Sequence, residues 1–160
     1  MSLRNILNAA AAIAVAVNHS GRVYNHLIWA VDDKEMKDRF TDNTGLLNTI
    51  MITRESTRSE DEGPNSNYDY HTIVLRWYRS MSRAADDSVN SEDTFQDDVE
   101  QMRLAFNANR KFTINGTKNA VWAGAMQARL VAPVTFNAVL CNYTELTMQV
   151  KDGPNSTTSL

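Results

Sequence analysis

Few residues in this chain are of types and spacings that could do chemistry. The histidines are His19, His26 and His71, and Cys141 is the single cysteine. His19 and His26 are seven apart and can share a helical face, yet no cysteine or helix-spaced acid completes a metal set around them. Cys141 sits in an apolar strand pattern, which reads as a buried packing thiol rather than an exposed thiolate nucleophile. Acidic runs occur at Glu60–Asp61–Glu62, Asp86–Asp87 and Asp97–Asp98. None has the alternating ligands and following bidentate glutamate of a calcium loop, so the first two read as solvated loop charge and the third as a polar helix face. GxSxG, HExxH and Gly-rich phosphate loops are all missing from the sequence. The reading is that of a non-enzyme without cofactor or metal.

Composition narrows the classes further. With 160 residues the chain suits one domain that buries roughly 70% of its unfolded surface. One cysteine excludes an internal disulfide and suits synthesis in a reducing compartment. A net charge of −3, from 16 basic and 19 acidic residues, argues against a duplex-binding protein. The start, MSLRNILNAAAAIAVAV, has the charge and apolar run of a secretory signal. It also carries a helical stripe of Leu3, Ile6, Leu7, Ala10, Ile13, Ala14 and Val17, which favours a retained first helix too short to span a membrane. The sequons at Asn18, Asn115, Asn142 and Asn155 read as chance matches in a chain rich in Asn, Ser and Thr.

The elements that must position these residues follow from periodicity. After the break at Gly21, VYNHLIWAVDDKEMKDRF suggests a short strand or turn and then a short helix. Ile50 and Ile52 alternate with Thr49, Met51 and Thr53 in one strand; Ile73, Leu75 and Trp77 alternate with Thr72, Arg76 and Tyr78 in another. Between them SEDEGPNSNYD predicts a long hairpin with a mobile, exposed tip spanning 55–69. Phe95, Val99, Met102 and Phe106 form one stripe of a helix over about 91–109, capped by Ser91. FTING reads as a turn, NAVWAGAMQARLV as one strand with Trp122, Met126 and Leu130 on a face, and Pro133 as its end. FNAVLCNYTELTMQV is the last strand. Its second half alternates cleanly, but its first half is apolar on both faces, through Phe136, Ala138 and Leu140 and through Val139, Cys141 and Tyr143. That odd face needs a second cover, either the N-terminal helix or another subunit, with the subunit slightly favoured. The expected class is α+β: an antiparallel sheet with a long hairpin, packed against an N-terminal helix and a second helix. The domain spans 1–152, and 153–160 is a flexible tail.

Read in order, GRVYNHLIW, ITRESTR, YHTIVLRWYRS, SEDTFQDDVEQMRLAF and FNAVLCNYTEL resemble a family of small phage and prophage tail-terminator (tail-completion) proteins of long-tailed bacteriophages. The resemblance covers roughly residues 20–150. It rests on an H-x-hydrophobic-x-hydrophobic-R strand (His71, Ile73, Val74, Leu75, Arg76), an S-E-x-x-F helix start (Ser91, Glu92, Phe95) and an L-C-x-Y-x-E-L strand (Leu140, Cys141, Tyr143, Glu145, Leu146). The chain departs from the family in having NANRKFTING where a Gly-rich turn is expected after the helix.

The resemblance implies a virion protein, made in the host bacterial cytoplasm, that assembles as a homo-oligomeric ring, usually a hexamer. Such a ring ends tail-tube growth, contacts the tail tube protein and the head–tail connector, and lets DNA pass through its lumen without specific binding. A neighbouring neck or connector ring, a tube subunit and a small ligand-binding domain are the alternatives. The residues expected in protein–protein contact are Arg54, Glu55, Arg58, Asp61, Glu62, Tyr68 and Tyr70 on the hairpin, with Val139, Cys141 and Tyr143 on the last strand. The hairpin tip is expected to face either the lumen or a neighbouring subunit. Arg54, Arg58, Arg76, Arg79 and Arg83 are candidates to pair with acids of a neighbouring chain.

Overall fold

A computed structural model describes residues 3–18, 21–63, 67–81, 88–114, 117–122 and 124–155. His19, Arg83, Asp86–Asp87, Asn115 and residues 156–160 lie outside them, as do the side chains of Trp122 and Leu130. The helices are α1 (Leu3–Val17), α2 (Asp33–Phe40) and α3 (Ser88–Ala108). The strands are β1 (Arg22–Tyr24), β2 (Asn48–Asp61), β3 (Asn67–Ser80), β4 (Lys111–Ile114), β5 (Thr117–Trp122), β6 (Gln127–Phe136) and β7 (Val139–Asn155). The fold is α+β. The sheet runs β1-β2-β3-β7-β5-β4, with β6 also on β7, and is antiparallel except where β1 lies parallel to β2. The β1–β2 crossover carries α2, as a parallel connection requires a long excursion.

The apolar periods lead into one main core. Ile6, Ala10 and Ala14 of α1 and Phe95, Val99, Met102 and Phe106 of α3 pack on Ile50, Ile52, Ile73, Leu75, Trp77, Leu146, Met148 and Val150. Small residues on α1 allow it to sit close to the sheet. Trp77 is the largest side chain fully enclosed here: its ring meets Phe95 edge-on at 5.3 Å and its Nε1–H donates to Asn48 Oδ1 at 2.9 Å. Asn48 in turn exchanges side-chain hydrogen bonds with Asn18 at the end of α1, so the buried amides are mutually satisfied. Arg79 lies over the Trp77 and Phe95 rings and pairs with Asp98 of α3 at 2.7 Å.

The opposite sheet face holds a second, smaller core. Met36 and Phe40 of α2 cover Leu47, Met51 and Cys141, with Tyr78, Val134, Phe136 and Val139 packed around them. This answers the two-faced stretch of the last strand. Phe136 ends β6 rather than belonging to β7; Asn137 and Ala138 form a two-residue hairpin turn with φ of 45° and 63°, the positive pair of a type I′ turn. From Val139 onward the odd face is covered by α2 and its own hairpin rather than by α1. Asn is enriched in such turns, but an alanine at positive φ is unusual, which is why periodicity ran through it.

Other boundaries also differ from expectation. Ser91 lies inside α3 instead of capping it, because an N-cap needs non-helical backbone and α3 begins at Ser88. The turn-like FTING contains β4, which pairs with β5. The single long strand expected from 119 to 131 is two strands, β5 and β6, with Gly124–Met126 between them and Met126 buried in the main core. Pro133 does not end β6: the strand pairs only with β7, so a proline lacking N–H is tolerated. The tail begins later than 153, since β7 pairs with β3 as far as Asn155 and Asp152 is buried.

Candidate protein contact surface

The β2 and β3 strands are each fourteen residues long, twice what the core covers. Ile50 and Ile52 lie under the helices, but β2 is exposed from Arg54 to Ser59. Cross-strand pairing continues through Glu60–Tyr68 to Asp61–Asn67, so most of the predicted 55–69 tip is paired strand and only 62–66 connects it. The reason is the third strand: β7 pairs with the outer part of β3, with Lys151 opposite Tyr70 and Asp152 opposite Asp69. A two-stranded ribbon alone is marginal in water, whereas here β7 continues the sheet and β5 pairs with β7 at Val150–Asp152.

On one face of this ribbon the side chains interlock. The Lys151 ammonium sits 3.9 Å from the Tyr68 ring centroid and 5.6 Å from that of Tyr70, and donates to both Glu62 oxygens at 2.8 and 2.6 Å. The Tyr70 hydroxyl donates to the same Glu62 carboxylate. Arg58 lies 4.9 Å over Tyr70 and bonds Glu60 at 3.0 Å. Hydrogen bonds from Lys151 and Tyr70 hold the Glu62 carboxyl below its ordinary range, and the same bonds to Glu62 push the lysine and the phenol upward. Glu62, Tyr70 and Lys151 are therefore each in one charge state around neutrality. Exposed ion pairs add little to stability, so the arrangement orders a surface more than it holds the fold.

The other hairpin candidates lie around this network. Arg54 bonds Thr57, and Asp61 accepts the Gly63 N–H at 3.1 Å. Glu55 is the extra residue of a β-bulge and reaches Arg129, the extra residue of the β6 bulge, at 3.8 Å. Arg76 pairs with Glu145 at 3.6 Å and Arg79 with Asp98, so both arginines have acid partners within the chain.

Val139, Cys141 and Tyr143 do not join this surface. Tyr143 lies opposite Tyr78, and Tyr78 is eight residues along β3 from Tyr70, about 27 Å in a strand. Cys141 is fully buried with its thiol pushed up to about 11 by burial, which makes it inert. Tyr143 is also buried, its hydroxyl donating to Glu145 at 2.6 Å and its ring 4.6 Å from Tyr78. Cys141 is a packing residue of the second core, and Tyr143 packs on Tyr78 at its edge.

Sequence reasoning missed Lys151, Arg129 and Asp152. Lys151 and Asp152 fell at the edge of an apparent tail, and only the β3–β7 register brings them to the hairpin. It also left His71 without a partner. His71 is buried on the opposite ribbon face, with Nδ1 at 2.8 Å from Thr57 Oγ1 and Nε2 at 4.0 Å from Asp152. Burial lowers its pKa, opposed by Asp152 and Asp69. The unfolded chain then binds a proton near pH 6.5 that the folded chain still refuses. Stability is full above that pH and falls as pH drops through the window below it. His71→Gln should flatten urea midpoints measured between pH 7.5 and 5.5; an unchanged slope in the variant refutes the assignment.

Among the described residues no three His, Cys, Asp or Glu side chains converge as metal ligands, and no helix is long and apolar enough to cross a membrane. The fold and surface define an α+β domain whose outer β2–β3 hairpin carries a side-chain-locked surface. Comparison with models of known protein families gives no match, and none of the curated proteins matches the chain significantly.

Proposed function

We propose that this chain is a virion structural protein, a tail terminator that forms a ring at the head-proximal end of a phage tail tube. In this reading the ring ends tube polymerisation and meets the head connector, with DNA passing through the lumen unbound. The observation that carries the reading is the ribbon: strands that run beyond the core, with β2 exposed from Arg54 to Ser59, stiffened by β7 and by the Lys151–Glu62–Tyr70 network. Such an extension contributes little to its own domain and is well suited to reach a neighbour. Polar groups locked in place lose little entropy on contact, which favours an interface. The ordered sequence resemblance supplies the particular role.

Negative-stain electron microscopy of the purified protein tests the reading. Rings of fixed height with a central channel are expected. Long tubes would indicate a tube subunit instead, and dispersed particles without rings would remove the proposal. Arg58→Glu combined with Tyr70→Ala should abolish rings while leaving the circular dichroism spectrum intact, because both side chains lie on the ribbon outside the cores. Rings formed normally by that variant would remove the ribbon from the interface.

A further inference from the structure

His71 sits where the covered sheet gives way to the outer hairpin, and its contacts have the form of a latch. The covered part of β2 ends at the bulge at Glu55, between Arg54 and Ser56. Before the bulge Ile50 and Ile52 are buried; beyond it residues 56–59 are exposed. Strand β1 pairs with β2 only at Thr49, Ile50 and Met51. From Ile52 to Asp61, then, β2 has a partner strand on one side alone among the described residues. A bulge interrupts the ladder and lets a strand bend, which makes Glu55 the natural hinge of an edge segment held from one side.

Just beyond that hinge, His71 of β3 lies opposite Thr57 of β2 and Val150 of β7, and it is 6% exposed. Its Nδ1 is 2.8 Å from Thr57 Oγ1 and its Nε2 4.0 Å from Asp152. One tautomer suits both neighbours: Nε2 carries the hydrogen toward the carboxylate, and Nδ1 accepts from the Thr57 hydroxyl. A second proton must then go on Nδ1, where it removes the acceptor that Thr57 uses. Asp152 of β7 and Asp69 of β3 attract the charged ring, while Arg54 of β2 and the amino-terminal charge repel it. From β5, Trp122 and Ala120 stand opposite Val150 and Asp152 and bring no charge. Burial outweighs the attraction and holds the ring's pKa below its ordinary value. The ring therefore takes its proton more readily once Thr57 has moved away and water reaches it.

We propose that residues 56–61 of β2 form a pH-sensitive flap hinged at the Glu55 bulge, latched at neutral pH by Thr57 on His71 and released when His71 binds a proton. The flap's other side-chain ties, Ser59 to Asp69 at 2.6 Å and Arg58 over Tyr70, lie at the surface and hold it weakly. Glu62 is not the sensor, since hydrogen bonds from Lys151 and Tyr70 keep its carboxyl below its usual range. The open form binds a proton near pH 6.5 that the closed form refuses. Opening therefore grows as pH falls below about 6.5, by up to about tenfold per pH unit until the latched ring also protonates. The flap is a property of the single chain and does not rest on the ring reading.

Deuterium exchange of the full chain, read by mass spectrometry at pH 7.5, 6.5 and 5.5 with times scaled for the intrinsic rate, tests it. Peptides covering 56–61 should open up to about tenfold more at pH 5.5 than at 6.5. Peptides from 73–77 and 95–106, in the main core, should keep their protection. His71→Gln should remove the pH dependence at 56–61. Thr57→Val, at an exposed position outside the cores, should raise exchange of 56–61 at pH 7.5. That variant keeps the test decisive if His71→Gln does not fold. Exchange at 56–61 that ignores pH in the wild type, or the same pH dependence in folded His71→Gln, would overturn the proposal. So would unchanged exchange at pH 7.5 in Thr57→Val. Protection lost together from 56–61 and 73–77 would mean global unfolding and would overturn it as well. Each of these readouts comes from the single chain, so the flap and the ring reading fail separately.

Discussion

Replacing Tyr143 by lysine should strongly destabilise the fold rather than disturb assembly alone. The tyrosine is 7% exposed, stacked on Tyr78, with its hydroxyl bonded to Glu145. A lysine there keeps one polar end near Glu145 but loses the ring contact with Tyr78 and places an ammonium at a buried position. A buried charge without full compensation and a lost aromatic contact together cost about 3–5 kcal/mol. That is a large share of the 5–15 kcal/mol that holds a domain of this size. The urea midpoint should fall accordingly. A Tyr143→Lys protein with a wild-type midpoint and a defect confined to assembly would return this residue to a subunit contact. Tyr143→Phe is the milder control: it keeps the ring and loses only the bond to Glu145, so its cost should be about 1 kcal/mol.

Trp77→Ala should have a loss of similar size, reached by a different route. No charge is introduced. The indole fills the main core between α3 and the sheet, and its removal takes away the edge contact with Phe95 and the platform under Arg79. It also takes a donor from Asn48 Oδ1, although that oxygen keeps the Asn18 amide at 3.2 Å. Cavity formation on this scale costs about 3–5 kcal/mol. Trp77→Phe separates the two contributions, since it retains most of the volume and loses the Nε1–H bond. Thermal and urea unfolding of the two variants should place Trp77→Phe well above Trp77→Ala. Equal destabilisation of both would mean that the hydrogen bond to Asn48, and not the packing, dominates this site.

The two substitutions bear on how much of the molecule was legible beforehand. Trp77 belongs to a strand whose alternation with Thr72, Arg76 and Tyr78 announces its buried side. Its place in the core follows from a period of two. The same holds for Phe95, Val99, Met102 and Phe106 on α3 and for Ile6, Ala10 and Ala14 on α1, where the helical period decides. Tyr143 was legible as apolar but not as covered. Nothing in α2 announces that Met36 and Phe40 fold back over the other face of the sheet, because a short charged helix with two apolar residues fits many positions. The ribbon divides in the same way. Glu62, Tyr68 and Tyr70 stand out in the sequence as a polar and aromatic group, while their organiser, Lys151, lies 89 residues from Glu62.

What the amino-acid order determined by itself is local: which residues are buried, where the two long helices and the two long strands lie, and therefore an α+β class. These follow from side-chain periodicity and from the hydrophobic effect acting on each element separately. The tertiary structure decided what depends on pairing between distant segments. The register of β7 on β3 turned an apparent loop and tail into paired strands of the sheet. The Asn137–Ala138 turn moved Phe136 to another strand, and the β1–α2–β2 crossover supplied the second core. Register and crossover geometry arise from contacts between residues far apart in the chain, and no local period carries that information. Leu27, Trp29 and Val31 complete the contrast: their apolar character was plain in the sequence, and only the packing of Ile28 and Ala30 beneath them left that edge facing water.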